Sequence, residues 1–128
     1  MKRDLILVVE DEIDIAEMVT YNLERWGYAV QVCSTGEEGL QVASSGPSLI
    51  LLDLGLPGIS GAEVCRRLKG KQATQEIPIL VLTARGHETE VAACLDLGAD
   101  GYLAKPFGLK ELASRIRTML PDDPAGRT

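Results

Sequence analysis

Five side chains that can do chemistry follow short apolar runs in this sequence. Glu10 and Asp11 come after the first run, Asp53 after the third, Thr83 after the fourth and Lys105 after the fifth. If these runs are parallel strands of one sheet, their carboxyl ends meet at one edge, which is where open α/β sheets bind ligands. The sequence therefore predicts a polar pocket that contains three carboxylates, a hydroxyl and an ammonium group.

The charged side chains of the predicted pocket determine which ions it binds and which reactions it favours. Three carboxylates repel one another, by about 4 kcal/mol for a pair about 4 Å apart at an effective dielectric of about 20. Either their pKa values rise or a cation binds among them. With oxygen ligands alone a hard divalent ion is expected, and Mg²⁺ suits few carboxylates with water and phosphate. A carboxylate such as Asp53 can also attack phosphorus and form an acyl phosphate, which Lys105 and Thr83 would position.

Each of these residues also has an ordinary structural explanation when it is taken alone. An acidic pair after a strand is more often a solvated turn, and Asp53 alone is likewise more often a cap or turn residue. Thr83 alone is most often a strand-end cap, and Lys105 alone is most often a surface lysine. Their joint occurrence, each at the end of a different predicted strand, favours a common pocket.

Five short strands and five helices alternate along the chain. The strands are apolar or alternating runs bounded by glycine, proline and polar residues, predicted at Leu5–Val9, Tyr28–Cys33, Leu49–Leu52, Ile79–Leu82 and Tyr102–Ala104. The helices follow apolar stripes and capping signals, predicted from Ile15 to Trp26, Thr35 to about Ser45, Ala62–Lys69, Glu88–Leu97 and Leu109–Leu120, with Gly108 as the last N-cap. Alternation of this kind predicts an α/β fold, with a five-stranded parallel sheet and helices on both faces.

Length, charge and cysteine content narrow the class of protein. The 128 residues are 45% hydrophobic and 25% charged, which is typical of one globular domain. We expect this domain to cover residues 1–120, and residues 121–128 to form a tail or the start of a linker. The net charge of −6 disfavours direct nucleic-acid binding. No apolar run approaches the ~20 residues of a membrane span. Three widely spaced cysteines favour a reduced, cytoplasmic setting.

Four stretches of sequence resemble the receiver domains of two-component response regulators, the CheY-like family. They are LILVVEDE, LILLDLGLPGISG around Asp53, IPILVLTAR around Thr83 and LGADGYLAKPF around Lys105, in order from residue 5 to 107. The resemblance covers nearly the whole chain. It implies the flavodoxin-like strand order 2-1-3-4-5.

The resemblance implies specific roles for the acidic residues. Asp53 would be the phosphoacceptor. Asp11 and Asp53 would ligate Mg²⁺ directly, the main-chain carbonyl of Gly55 would be a third ligand, and Glu10 would act mainly through water.

The resemblance also implies a switch and its partners. Lys105 would hold a phosphoryl oxygen, and its peptide bond to Pro106 would be cis. Thr83 would move its hydroxyl towards the phosphoryl group and Tyr102 would rotate inward behind it. The phosphoryl donor would be a sensor histidine kinase, and the fourth helix, fifth strand and fifth helix would control an output domain or a downstream protein. Such a domain is not an enzyme, although it catalyses its own phosphoryl transfer and dephosphorylation.

Some positions depart from the family pattern. Gly55 replaces a larger residue, which leaves the site more open and affects the phosphoryl lifetime. Gly101 and Val91 replace charged residues that help two receivers to pair, so the possible homodimer through the fourth helix, fifth strand and fifth helix has weaker support. His87 is expected to face solvent and not to carry phosphate.

Three other functions remain as alternatives. A binding module that signals without phosphate would not need the full acidic set with Thr83 and Lys105. An aspartyl phosphohydrolase typically needs a second acid at the position of Gly55, and a flavin carrier needs a Ser/Thr-rich loop after the first strand. The last helix resembles receivers that precede DNA-binding domains, which favours a fragment of a longer protein. The cognate kinase and the output are not identified by the sequence.

Overall fold

The computed structural model describes residues 3–120, in which strands and helices alternate strictly. The strands are β1 (Leu5–Val9), β2 (Ala29–Cys33), β3 (Leu49–Asp53), β4 (Ile79–Thr83) and β5 (Gly101–Ala104). The helices are α1 (Ile13–Arg25), α2 (Gly36–Ala43), α3 (Gly61–Lys69), α4 (Glu88–Asp96) and α5 (Leu109–Met119). The predicted tail or linker at 121–128 lies outside the described residues.

The five strands form one parallel sheet in the order β2-β1-β3-β4-β5, as the resemblance implies. The three central strands have the continuous apolar sequences LILVV, LILLD and ILVLT, and β3 and β4 are buried along their whole length. Strands covered on both faces have no alternating pattern, which explains why these runs have no polar positions before their last residues. The edge strands β2 and β5 are partly exposed.

Two apolar cores form on the two faces of the sheet. Alternate strand residues such as Ile6 and Val8 pack on one face with α1 and α5, where Leu23 and Ile116 are buried. The intervening strand residues pack on the other face with apolar residues of α2, α3 and α4. The predicted three-layer α/β architecture is therefore confirmed.

Helix boundaries follow local capping chemistry. The Thr35 hydroxyl accepts a hydrogen bond from the Glu38 amide at 3.1 Å, as the predicted capping box requires. The returning bond differs from that motif, because the Glu38 carboxylate accepts from the amide of Ser34 at 3.0 Å. The predicted N-cap at Gly108 is confirmed. No helix within residues 3–120 is long and apolar enough to cross a membrane.

The predicted boundaries agree with the structure to within two residues. The first helix begins at Ile13 rather than Ile15, because Ile13 is 72% exposed and lies outside the buried stripe from which the helix is predicted. β3 and β4 extend one residue further than predicted, to Asp53 and Thr83, which are polar but still pair in the sheet. The second helix ends at Ala43, before the predicted Ser45.

Truncation of a central strand residue tests this packing. Leu51 is fully buried in β3, whereas Leu95 on α4 is 39% exposed. We expect Leu51→Ala to lower the free energy of unfolding by about 3 kcal/mol, because it leaves a cavity between two packed layers. Leu95→Ala should cost less than about 1 kcal/mol. Urea denaturation of both variants measures the difference, and equal losses would contradict the assigned core.

Candidate functional site

The carboxyl ends of four strands position the candidate site. The strand pairing continues past the strand ends: the Glu10 amide donates to the Cys33 carbonyl at 2.9 Å, and the Lys105 amide donates to the Thr83 carbonyl at 2.8 Å. Asp53 is still within β3 and lies opposite Leu82 of β4. The backbone that carries these side chains is therefore fixed by the sheet itself.

Three carboxylates converge at this edge, as predicted. One carboxylate oxygen each from Glu10, Asp11 and Asp53 lies within 4.8 Å of the others; Glu10 and Asp53 are buried and Asp11 is exposed. A cavity of about 290 Å³ opens beside Asp11 and Asp53, and Gly55 and Lys105 also line it. An all-oxygen donor set of this charge, with one side open to solvent, fits a hard divalent cation such as Mg²⁺ with water in its coordination sphere.

Lys105 is the cation of this cluster in residues 3–120. Its Nζ lies 2.8 Å from Asp53 Oδ1, 3.0 Å from Glu10 Oε1 and 3.3 Å from Glu12 Oε1, and its side chain is 14% exposed. Burial alone lowers the pKa of Lys105, but the hydrogen bonds and negative charges of Asp53 and Glu10 outweigh burial and raise it above its ordinary value. The ammonium is therefore charged throughout the physiological pH range.

Glu10 is the carboxylate most affected by its surroundings. Burial raises the pKa of Glu10 above its ordinary value, and the negative charge of Asp53 adds to this effect. The hydrogen bonds from Lys105 and from the Glu12 amide, at 3.0 Å and 3.2 Å, act in the opposite direction. The cluster thus holds more negative charge than Lys105 alone can compensate, which is the condition for binding a further cation.

Thr83 is the last residue of β4, one residue further than the predicted strand, and does not line the acidic cavity. Its hydroxyl is buried and donates a hydrogen bond to the carbonyl of Ala84 at 3.0 Å. It lines a second cavity of about 520 Å³, which Tyr102 and residues of α4 also line. The Tyr102 side chain is 46% exposed. There is thus room between Thr83 and α4, next to a largely exposed Tyr102.

His87 is a residue of the site that sequence reasoning missed. It was expected to face solvent, yet its ring lines the acidic cavity with Asp53 and Gly55 and is 36% exposed. Its Nε2 lies 3.9 Å from the point that a Cβ at Gly55 would occupy. The sequence held one signal for this position. Gly55 has no side chain, so a neighbouring residue could fill the space next to Asp53.

Two further features complete the site. The Lys105–Pro106 peptide bond is cis, as the resemblance implies. On the surface formed by α4, β5 and α5, the guanidinium of Arg115 donates to the carbonyl of Tyr102 at 2.6 Å. This arginine is therefore engaged within its own chain, next to the strand that would carry an output signal.

The chain belongs to the family of response regulator receiver domains. The model of that family matches residues 6–117, which run from within β1 to the last turn of α5 and so include part or all of each of the ten elements. The strand order and the converging acidic residues agree with this assignment.

The chain is similar to a transcription factor and to two solved receivers. It is 44% identical to the phosphate regulon transcriptional regulatory protein PhoB of Rhizobium meliloti, over 90% of this chain and 51% of that protein. The receiver of sensor histidine kinase PA1611 from Pseudomonas aeruginosa, solved with magnesium in its active-site cleft, is 28% identical (TM-score 0.86; coverage 94% and 100%). Chemotaxis regulator CheY4 of Vibrio cholerae is also 28% identical (TM-score 0.85; coverage 92% and 99%). The chain spans about half the length of the curated relatives it matches.

Removal of the Lys105 charge tests the electrostatics of the cluster. In metal-free buffer at neutral pH, we expect Lys105→Met to lower the free energy of unfolding by about 3 kcal/mol, because Glu10 and Asp53 lose their buried counter-ion. Lys110→Met, at an exposed position of α5, should change it by less than about 0.5 kcal/mol. Urea denaturation measures both; a Lys105 variant as stable as the control would contradict this account.

Proposed function

We propose that this receiver domain is a phosphorylation switch in which Asp53 accepts a phosphoryl group from a sensor histidine kinase. The observation that carries this proposal is the ammonium of Lys105, 2.8 Å from Asp53 Oδ1 and inside a cluster of three carboxylates. Because the cavity is open to solvent, a dianionic phosphoryl group can reach the Asp53 carboxylate. The fixed positive charge of Lys105 would then neutralise part of its charge.

Residues of this chain would carry out the transfer. A carboxylate oxygen of Asp53 forms the new bond to phosphorus, the bond from phosphorus to the donor nitrogen breaks, and its electron pair leaves with the imidazole of the kinase histidine. Oδ1 is held by Lys105, whereas Oδ2 is the oxygen that faces Gly55, 4.0 Å from the point where a Cβ would lie. Oδ2 is therefore the better-placed nucleophile. Lys105 then stabilises the added negative charge.

A divalent cation would share this task with Lys105. Asp11 and Asp53 would hold Mg²⁺ directly, with the carbonyl of Gly55 as a third ligand and Glu10 acting through water. When bound, the ion would neutralise charge on the phosphoryl oxygens during transfer. The donor set of this chain and the magnesium described for the PA1611 receiver support the assignment.

Thr83 and Tyr102 would convert phosphorylation into a change of surface. A phosphoryl group adds about −1.5 to −2 charges and three strong hydrogen-bond acceptors. These would draw the Thr83 hydroxyl away from the Ala84 carbonyl, and the exposed ring of Tyr102 would move into the space next to it. The affected surface is that of α4, β5 and α5, through which the domain would act on an output domain, a downstream protein or a second copy of itself.

The output would come from a separate output domain or from a downstream protein. Relatives such as PhoB are transcriptional regulators about twice as long as the matched region. We propose that residues 1–120 are the receiver and that 121–128 begin the linker or form a tail. DNA binding would come from another domain, because this chain has a net charge of −6.

Phosphorylation by a small donor tests the proposal. The chain is incubated with acetyl phosphate with and without Mg²⁺, and its intact mass is measured. We expect one phosphoryl adduct that requires Mg²⁺, because the cation and Lys105 together offset the charge brought to Asp53. Asp53→Asn should form none, whereas Asp96→Asn, at an exposed position of α4, should behave like the unsubstituted chain.

The same experiment distinguishes phosphorylation of Asp53 from the main alternative, a binding module that acts without phosphate. An adduct that persists in Asp53→Asn would contradict Asp53 as the acceptor. If no adduct forms and beryllium fluoride, a stable phosphoryl mimic, also fails to bind, the phosphorylation mechanism is wrong and a phosphate-independent binding module replaces it.

The switch can be followed at Tyr102. We expect beryllium fluoride with Mg²⁺ to reduce the exposure of the Tyr102 ring, seen as a shift and solvent protection of its NMR resonances, assigned with Tyr102→Phe. Thr83→Ala should bind the mimic but lose most of this shift, because it has no hydroxyl to draw inward. Thr118→Ala, at an exposed position of α5, is the matched control. A full Tyr102 shift in Thr83→Ala would contradict the coupling.

A further inference from the structure

The ring of His87 and the carboxylate of Asp53 line the same cavity. His87 is the N-cap residue of α4, makes no side-chain cap bond, and lines the acidic cavity. Its Nε2 lies 3.9 Å, and Asp53 Oδ2 4.0 Å, from the same point, the position of a Cβ at residue 55. Because residue 55 is glycine, nothing from its own side chain separates the imidazole from Asp53.

Glu90 holds the ring in this position from its other side. Nδ1 of His87 lies 3.6 Å from Glu90 Oε1, one helical turn away on α4. The second oxygen of Glu90 accepts hydrogen bonds from the amides of Gly61 and Ala62, at 2.8 Å and 3.4 Å, at the start of α3. The carboxylate is thus anchored to a neighbouring helix. Nδ1 is thus on the side of this carboxylate, which leaves Nε2 on the side of the cavity.

The other charged side chains that line the cavity already take part in the acidic cluster or its ion pairs with Lys105. Lys105 is bound to three carboxylates, Glu12 is one of its partners, and Asp11 belongs to the acidic cluster. Thr83 does not line this cavity. Among the described residues, His87 Nε2 is the remaining side-chain nitrogen of the cavity wall, and it makes no hydrogen bond to the rest of residues 3–120.

We propose that His87 positions the water molecule that hydrolyses the phosphoryl group on Asp53, an inference that rests on the proposed function. Attacking and leaving oxygens are roughly in line in phosphoryl transfer, so the water must lie on the solvent side of the phosphorus, opposite Asp53. A ring that is 36% exposed at the rim of the cavity is placed to accept a hydrogen bond from that water.

The hydrolysis balances without any further reactant. The water oxygen forms a bond to phosphorus, the bond from phosphorus to the Asp53 oxygen breaks, and its electron pair restores the carboxylate. The proton of the water passes to a phosphoryl oxygen, so the products are Asp53 and dihydrogen phosphate. His87 orients the water and is unchanged at the end. Through this residue, the sequence of the loop before α4 would set how long the switch stays on.

Three substitutions at position 87 test this positioning role. The chain is loaded with acetyl phosphate and Mg²⁺, the donor is removed, and adduct decay is followed by intact mass. We expect His87→Leu to lengthen the adduct lifetime about fivefold, the factor that one ordinary hydrogen bond contributes. His87→Gln, whose terminal amide reaches about as far as Nε2, should retain most of the decay rate. His87→Asn reaches only as far as Nδ1 and should resemble His87→Leu.

Each result has a definite meaning. A lifetime in His87→Leu that is unchanged or shorter overturns the proposal. Equal lengthening in all three variants also overturns it, because it would indicate packing by the ring rather than a hydrogen bond from Nε2. Binding of beryllium fluoride should be the same in all variants, since the mimic binds without hydrolysis. If the unsubstituted chain forms no adduct, the proposed function fails together with this inference, whereas normal adducts with equal lifetimes contradict the inference alone.

Discussion

The ammonium group of Lys105, held among three carboxylates at one edge of the sheet, is the interaction on which the rest of the site depends. It lies within 3.3 Å of oxygens from Glu10, Glu12 and Asp53; the first two follow β1 and the third ends the neighbouring strand β3. Without this positive charge, two buried carboxylates would face each other unpaired, and their burial would be very costly. With it, the cluster keeps a residual negative charge that suits a divalent cation, and Asp53 keeps a counter-ion for an incoming phosphoryl group.

The parallel sheet makes this arrangement possible because it fixes the ends of four strands at the same level. The central strands are buried on both faces, so their sequences are uniformly apolar until the chain emerges at the carboxyl edge. The first polar residues after such runs must therefore meet at that edge. The same sheet places two cavities at neighbouring strand ends: the acidic cavity lies beyond β1 and β3, while the cavity next to Thr83 and Tyr102 lies beside β4, β5 and α4.

Much of this could be predicted from the sequence, because strand burial and helix periodicity are local signals. All five strands and five helices were anticipated, as was the convergence of Glu10, Asp11, Asp53 and Lys105. Helix ends were less predictable: Ile13 in the first turn of α1 is exposed and lies outside the buried stripe, and α2 ends before its polar sequence does. Side-chain direction was not predictable either, because the Thr83 hydroxyl bonds the carbonyl of its neighbour Ala84 rather than lining the acidic cavity. The position of His87 next to Glu90 depends on residues distant in sequence, since Glu90 accepts hydrogen bonds from the start of α3. Sequence spacing does not encode such contacts.

The central claim is that Asp53 is the residue that becomes an acyl phosphate, and locating the modified residue tests it most directly. Borohydride reduces an aspartyl phosphate to homoserine, so the chain would be loaded with acetyl phosphate and Mg²⁺, reduced, digested and sequenced by tandem mass spectrometry. The account predicts homoserine at position 53 and at no other aspartate, with none formed when the divalent cation is removed by a chelator. Homoserine at Asp11 or another aspartate instead, or equal conversion of Asp53 without the cation, would contradict it.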